Sequence, residues 1–137
     1  MRKSLPFVLV AGLLAAPLAL PLPAPAAQPS LQQGGAITQG LRLVMVDLKG
    51  CGFCAAFKRE VLPVYDGSRE GQAAPLSIVE IDGPWPDGIA LAGRPRVTPT
   101  FILLRDGMEQ ARIEGYAGAD SFWPGLRRML ANAEAQP

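Results

Sequence analysis

Both cysteines of the 137-residue chain lie in the stretch KGCGFCAAFKREV at positions 49–61. Cys51 and Cys54 form a CxxC motif at the start of a segment with helical periodicity, since Cys54, Phe57 and Val61 recur at i, i+3 and i+7. Unpaired amides and the helix dipole stabilise a thiolate at a helix N-terminus, so we predict that Cys51 ionises below the free-thiol pKa of about 8.5. Cys54, one turn further along, is predicted to be shielded and to resolve a mixed disulfide formed on Cys51.

The rest of the composition removes most other uses of a cysteine pair. The chain contains no histidine, which excludes proteases with a catalytic histidine and metal sites with histidine ligands. Ala55 stands where a c-type haem attachment motif needs histidine, and two thiolates cannot complete a four-ligand zinc site. Two non-enzymatic alternatives stay open: the cysteines hold a soft ion such as Cu(I), or they form a structural disulfide in a peptide-binding module.

The N-terminal segment has the pattern of a secretory signal peptide. Arg2 and Lys3 precede an apolar run that ends in the small-residue sequence APA at positions 24–26. Prolines interrupt this run, whereas a membrane-spanning helix needs about 20 apolar residues, so a membrane anchor is the weaker alternative. Without Arg2 and Lys3 the chain has slightly more acidic than basic residues, and no basic surface for nucleic acid is expected. We predict a signal peptide at 1–26 that is removed, a flexible lead-in at 27–40 and one folded domain at 41–135.

The folded part alternates strands and helices. The predicted elements are a strand at 41–48, a helix from the cysteines that ends or kinks at Pro63, a strand at 76–82, a short helix at 89–92, a hairpin around Asp106-Gly107, and a helix from near Ser121 with Pro124 in its first turn. This order predicts an α/β fold with a central mixed β-sheet, in which a β-α-β half precedes a ββα half and helices cover both faces. The apolar first strand is expected at the centre of the sheet.

Three separated motifs together resemble the thioredoxin superfamily over about residues 41–132. They are CGFC after an apolar strand, VTPTF at 97–101, and LLRDGMEQARIEGY at 103–116. The resemblance implies a thioredoxin-like fold with Cys51 as the attacking and Cys54 as the resolving cysteine. It also implies that Pro99 is a cis-proline and that the backbone of Thr98 pairs with an extended substrate. Phe53, Thr98 and Pro99 are accordingly the predicted substrate-binding residues, and a trans proline opening an edge strand is the alternative.

The sequence also departs from cytosolic thioredoxins. Their WCGPC is GCGFC here, so a redox potential cannot be carried over. Asp47 is a candidate for the buried carboxylate that assists the resolving cysteine, but it lies two residues closer to Cys51 than the family spacing, and an end-of-strand carboxylate bonded to backbone is the alternative. Lys49 either adds positive charge near the thiolate or is a solvated loop lysine. Phe53, Trp85 and Tyr116 are candidates for an apolar rim that accepts a partner, with ordinary packing of these aromatic residues as the alternative.

The narrower resemblance is to small secreted bacterial thioredoxins, including those encoded with sulfur-oxidation systems. Arg59–Pro63 and Gly115-Tyr116 carry it. It implies a periplasmic thiol-disulfide oxidoreductase that keeps the cysteine of a partner protein reduced, with a disulfide-forming oxidant as the alternative. No G-x-G-x-x-G motif follows a strand, so we expect no nicotinamide or flavin cofactor, no bound metal, and a membrane thiol-electron carrier as the source of electrons. A monomer is expected.

Overall fold

The computed structural model describes residues 40–136, which contain four strands and four helices. In chain order these are β1 (Leu41–Asp47), α1 (Gly52–Glu60), α2 (Leu62–Tyr65), α3 (Arg69–Ala73), β2 (Leu76–Glu80), β3 (Thr100–Arg105), β4 (Met108–Glu114) and α4 (Ala119–Glu134). The predicted signal peptide at 1–26 and all but the last residue of the predicted lead-in lie outside the described residues. Within the described range, no helix is both long enough and apolar enough to cross a membrane.

The strands form one mixed sheet in the order β2-β1-β3-β4. β1 pairs in parallel with β2 and antiparallel with β3, and β3 pairs antiparallel with β4. The predicted combination of a β-α-β half with a ββα half is therefore confirmed. β1 is central, as predicted, because the run from Leu43 to Val46 is buried on both faces.

The turn between β3 and β4 follows the sequence prediction. Asp106 and Gly107 both have positive φ angles, of 50° and 81°, and Arg105 pairs directly with Met108 across the turn. A two-residue hairpin turn of this kind needs positive φ at both central residues, which Asp-Gly supplies at low cost. β4 thereby runs back along β3, so that Glu114 at its end pairs with Thr100.

The helices pack on one face of the sheet. Phe57 from α1, Phe101 from β3 and Phe122 from α4 meet there, with ring centroids 4.6 to 5.0 Å apart. Such tilted and edge-on aromatic contacts add to the stabilisation from apolar burial. The start of α1, and with it the CxxC motif, is thereby fixed against the central strands.

The opposite face is covered differently from the prediction. Its buried residues, Val44, Val46, Val79, Ile102 and Leu104, contact partly buried side chains from an irregular segment at 81–91. The predicted helix at 89–92 is wrong, because Ala90 instead forms an isolated parallel bridge with Met108. The amide of Ala90 donates to the carbonyl of Gly107 at 2.8 Å, so hairpin pairing satisfies groups that a helix would have used. Within residues 40–136, helices therefore do not cover both faces.

Element boundaries differ from the prediction in three places, the first of which is β1, which ends at Asp47, one residue early. β2 ends at Glu80, two residues early, because the amide of Gly83 folds back to the carbonyl of Glu80. α4 begins at Ala119, so Pro124 lies in the second turn of the helix rather than the first. The helix after the cysteines ends at Glu60, and Pro63 lies at the start of α2, which agrees with the predicted break. The short α3, capped by the Ser68 side chain, was not predicted.

Candidate active site

The chain delivers Cys51 from the central strand to the start of α1 over three residues. Gly50, with φ of 85°, makes the turn that follows β1. Cys51 is the N-cap of α1, and its Sγ accepts a hydrogen bond from the amide of Cys54 at 3.3 Å. The same sulfur donates to the carbonyl oxygen of Thr98 at 3.5 Å. The cysteine is therefore partly exposed between the start of α1 and the segment before β3.

Hydrogen bonding lowers the pKa of the Cys51 thiol from its ordinary value. Burial, the largest single influence, works in the opposite direction. The amide of Cys54, which donates to Sγ at 3.3 Å, acts together with the nearby Cys54 thiol, Thr98 side chain and Phe53 amide to outweigh it. The ionised sulfur is thus stabilised by the groups expected at a helix N-terminus, with the addition of Thr98.

Cys54 has the opposite environment. Its side chain is buried, with 1% of the residue exposed. Burial, followed by the interaction with Cys51, raises the pKa of Cys54 to about 12. Both cysteines are free thiols in this structure. The two members of one motif therefore differ in both accessibility and acidity, and the accessible one is the more acidic.

An ion pair between buried Asp47 and half-buried Lys58 lies behind Cys54. Asp47, at the end of β1, is 3% exposed, and its Oδ2 accepts a hydrogen bond from Nζ of Lys58. Burial opposes ionisation of Asp47, but Lys58, the Cys54 thiol and the amide of Leu48 together hold the pKa of the carboxyl below its usual value. Asp47 in turn contributes to the raised pKa of Cys54. The other carboxylate oxygen, Oδ1, is buried without a hydrogen-bond partner, so the influence between Asp47 and Cys54 is electrostatic rather than a formed hydrogen bond.

The sequence offered a carboxylate bonded to backbone as one role for Asp47, but in the structure the carboxylate accepts a hydrogen bond from a side chain. Its main side-chain partner is Lys58, which the sequence analysis did not single out as a site residue. Lys58 stands four positions after Cys54 on α1. Because residues at i and i+4 share a helix face, this spacing was the available signal.

Two openings flank the cysteines. The polar cleft, of about 320 Å³, is lined by Asp47, Leu48, Lys49, Gly50, Cys51, Gly52, Cys54, Ala55, Lys58 and Glu80. Lys49 is exposed at its edge. Both sulfurs and the carboxylate of Asp47 therefore lie along one opening that also contains the charged groups of Lys49, Lys58 and Glu80.

The second opening, the apolar groove, has a volume of about 410 Å³. Its lining residues are Phe53, Val97, Thr98, Ile113, Glu114, Gly115, Tyr116, Ala117, Ser121 and Phe122. Phe53 is 65% exposed although it is a large apolar residue. Pro99 is buried beside the groove, the Thr98–Pro99 peptide bond is cis, and the carbonyl of Pro99 accepts a hydrogen bond from the amide of Gly115 at 2.7 Å.

Two of the three residues predicted for an apolar rim line the same groove. Phe53 and Tyr116 both line the apolar groove, and the hydroxyl of Tyr116 donates to Glu60 Oε2 at 2.7 Å. Trp85 does not join them. It packs on the opposite face of the sheet, where its indole nitrogen donates to the carbonyl of Ile81 at 3.4 Å. The loop around Trp85 runs along that face, so its aromatic ring serves packing there.

The described part of the chain contains no cluster of three or more Cys, Asp or Glu side chains with metal-binding geometry. The donor set at the site is two thiols with one carboxylate already engaged by Lys58. The arrangement is thus one of an acidic accessible thiol, a buried second thiol and a buried carboxylate, which together are suited to thiol-disulfide exchange.

Comparison with known proteins agrees with this chemistry. A family model described as a thioredoxin-like domain matches residues 36–130. Among similar solved structures is the reduced form of the periplasmic thioredoxin SoxS from Paracoccus pantotrophus, with 42% identity over 68% of this chain and 98% of that one, and a TM-score of 0.67. A thioredoxin from Malassezia sympodialis shares the fold, with 14% identity over 68% of this chain and 80% of that one, and a TM-score of 0.51. A search of curated proteins gave no match. The chain belongs to the thioredoxin-like family, whose members are thiol-disulfide oxidoreductases.

Proposed function

We propose that this protein is a periplasmic thiol-disulfide oxidoreductase that mainly reduces disulfides or thiol adducts of a partner protein. Cys51 is the attacking cysteine and Cys54 the resolving one. The observation that carries this assignment is the contrast between the two thiols. Cys51 is partly exposed with a lowered pKa, and Cys54 is buried with a raised pKa. A thiolate is the nucleophile in disulfide exchange, so the first attack falls to Cys51.

The proposed reaction has two steps. In the first, the Cys51 thiolate attacks one sulfur of a client disulfide, a new S–S bond forms, and the other client sulfur leaves as a thiolate. In the second, Cys54 gives its proton to the nearby carboxylate of Asp47 and attacks Sγ of Cys51. The bond from Cys51 to the client then breaks, and the client leaves as a second thiolate. Two electrons pass to the client, and the Cys51–Cys54 disulfide remains.

The groove supports roles for Phe53, Thr98 and Pro99 in substrate binding. Thr98 lines the groove and its carbonyl already contacts Cys51, so a client cysteine bonded to Cys51 brings its own backbone alongside this segment. An extended peptide gains affinity from main-chain hydrogen bonds and specificity from side-chain pockets. Phe53 presents apolar surface to the same peptide, and buried Pro99 supports the segment from beneath.

We place the mature protein in the periplasm after removal of residues 1–26, with 27–40 as a lead-in and 41–135 as the working domain. The similar structure SoxS is itself described as a periplasmic thioredoxin, and a role in sulfur oxidation is part of this proposal. The compartment lacks a thiol buffer comparable to that of the cytosol. A membrane thiol carrier therefore reduces the Cys51–Cys54 disulfide after each cycle. The protein acts as a monomer.

One observation favours the opposite direction as a second candidate. Every group that stabilises the Cys51 thiolate stabilises the reduced form of the protein and so makes its disulfide a better oxidant. The hydrogen bonds to Cys51 described above act in this sense. The direction depends on whether the raised pKa of Cys54 and the electron supply in the cell outweigh them.

The deciding experiment measures the potential of the Cys51/Cys54 couple against glutathione and its redox state in the exporting cell. A reductase is expected to have a potential near that of thioredoxin, about −270 mV, rather than about −120 mV as in a strong oxidant. Its cysteines are expected to be mostly reduced at steady state. Cys54→Ser in cells is expected to trap one membrane protein and one soluble client as mixed disulfides. Fully oxidised cysteines, with secreted proteins losing disulfides in a deletion strain, would establish the oxidant instead.

A further inference from the structure

The apolar groove begins at the reacting sulfur. The carbonyl oxygen of Thr98, which lies 3.5 Å from Sγ of Cys51, belongs to a lining residue of the groove. Phe53, two positions after Cys51, forms another part of the lining. A peptide whose cysteine is bonded to Cys51 therefore places its neighbouring residues at the mouth of this groove. The occupant that the geometry provides for is the client segment itself.

The size and lining of the groove define what that segment presents. A volume of about 410 Å³ lies at the lower end of the range of small-ligand pockets and is ample for one large side chain. The inner wall is made by Ile113, Tyr116 and Phe122, and the outer edge by Phe53 and Val97, which are 65% and 46% exposed. An apolar side chain entering the groove removes these surfaces from water, which is favourable in proportion to the area covered.

The groove also carries a net negative charge at one edge. Among the described residues that line it, Glu114 alone is charged. Its nearest cation is Arg112, at 3.7 Å, but Arg112 is already held by both oxygens of Glu109 at 2.6 and 2.7 Å and by the carbonyl of Gly93 at 2.8 Å. Two carboxylates thus share one guanidinium, and Glu114, with half of its side chain exposed, keeps unneutralised charge toward the groove.

We infer that the preferred client carries a large apolar side chain next to its reactive cysteine, followed by a basic rather than an acidic residue. The apolar side chain occupies the groove between Phe53 and Tyr116, and the basic residue faces Glu114. This inference rests on the proposed function, because it concerns the peptide that Cys51 attacks. It makes Phe53, Glu114 and Tyr116 determinants of specificity among disulfides that are equal in chemistry.

The test compares symmetric disulfides of short peptides, in which attack on either sulfur is equivalent. The peptides carry Leu or Ala next to cysteine, on either side, and Lys or Glu beyond it. The reduced full-length protein is mixed with each peptide, and the second-order rate of thiol oxidation is measured by acid quench. On one of the two sides of the cysteine, we expect the Leu peptide to react at least about tenfold faster than the Ala peptide, which is the scale of discrimination by a hydrophobic pocket. We expect the Lys peptide to react faster than the Glu peptide at low ionic strength, and we expect the ratio of the two rates to fall in about 1 M salt.

Three variants locate the effect. Ala117→Phe, at an exposed lining position, fills the groove and is expected to lower the Leu/Ala ratio. Glu114→Gln is expected to bring the Lys/Glu ratio close to one. Glu134→Gln removes an exposed carboxylate outside the lining, and both ratios are expected to stay as in the wild type. Each ratio is internal to one variant, so a change in the amount of folded protein does not affect it.

The outcomes separate this inference from the proposed function. Equal rates for Leu and Ala peptides, or a Lys/Glu ratio that Glu114→Gln does not change, overturn the inference. If the wild type meanwhile reduces cystine, the proposed function stands. Failure to reduce cystine as well as every peptide counts against the function itself.

Discussion

The two openings beside the CxxC motif differ in almost every property. The apolar groove contains one charged residue, Glu114, among the described residues that line it. The polar cleft contains Asp47, Lys49, Lys58 and Glu80 together with both sulfurs. A client disulfide carries no charge and transfers no proton when it binds, whereas a proton that leaves a thiol needs an acceptor. The difference assigns client contact to the groove and proton handling to the cleft.

The two openings also arise differently from the chain. The cleft is built mostly from the continuous stretch 47–58, with Glu80 added by the parallel neighbour of β1. The groove combines α1 with residues 97–98 and 113–122, which are far apart in sequence. Changes in the groove can therefore alter client choice while the sequence around the cysteines, and with it the exchange chemistry, stays the same.

The largest expected effect distinguishes the two cysteines that lie between these openings. Cys51→Ser is expected to abolish disulfide reduction, because no other accessible thiol exists in the chain. Cys54→Ser is expected to complete the first step and accumulate mixed disulfides with clients. Mass spectrometry of the protein after incubation with a peptide disulfide measures both outcomes.

Alkylation of the wild-type protein provides the control, since it involves no substitution. Iodoacetamide is expected to modify Cys51 well before Cys54, which is 1% exposed and has a pKa of about 12. Equal alkylation rates, or trapping by Cys51→Ser instead of Cys54→Ser, would reverse the assignment.

Three features could be predicted from the sequence because each depends on local chemistry. They are the helix that starts at the cysteines, the central strand and the Asp106-Gly107 hairpin. The helix N-terminus acts on Cys51 through neighbouring amides, and the hairpin depends on two φ angles. The segment around Ala90 was mispredicted because a distant partner, the hairpin, took its backbone hydrogen bonds. Trp85 was misplaced for a similar reason, since nothing in a lone aromatic residue tells which face of a sheet its loop will follow.

The second prediction tests the cleft through the pair of Asp47 and Lys58. Asp47→Asn removes the proposed proton acceptor and is expected to slow the release of client from the mixed disulfide by about 100-fold, the lower range for general base catalysis. Lys58→Met leaves Asp47 buried without its cation, so burial raises the pKa of the carboxyl. The acid limb of the resolution rate is then expected to move to higher pH. Rapid-quench kinetics from about pH 4 to about pH 9, which covers most of the range in which carboxyl and thiol groups titrate, measure the shift.

Stability gives an independent reading of the same pair. The pKa of Asp47 is lowered on folding, so its stabilisation is present above the unfolded value of about 3.9 and is lost as pH falls through the lower folded value. Lys58→Met is expected to cost about 2 kcal/mol at neutral pH, less than a fully buried pair because 38% of the lysine side chain is exposed. In urea unfolding this deficit is expected to shrink in acid. Lys49→Met, at the exposed edge of the cleft, is the matched control, and an equal loss in both variants would argue against a specific pair.

The smallest expected effect lies where groove and sulfur meet, at Thr98. The Thr98 side chain is one of the groups that lower the pKa of Cys51, so Thr98→Val is expected to raise that pKa toward the ordinary value. A hydrogen bond contributes about 1 kcal/mol net, or about fivefold in an equilibrium. At neutral pH the Cys51 alkylation rate is therefore expected to fall by a few fold. Above the pKa of both proteins the rates are expected to converge, because the sulfur is ionised in each. Thr98→Ser keeps a hydroxyl and is expected to behave as the wild type. An alkylation rate that stays lower in Thr98→Val even at alkaline pH would indicate that the valine methyl blocks the reagent. Thr98 would then have no part in lowering the pKa of Cys51, and α1 alone would lower it.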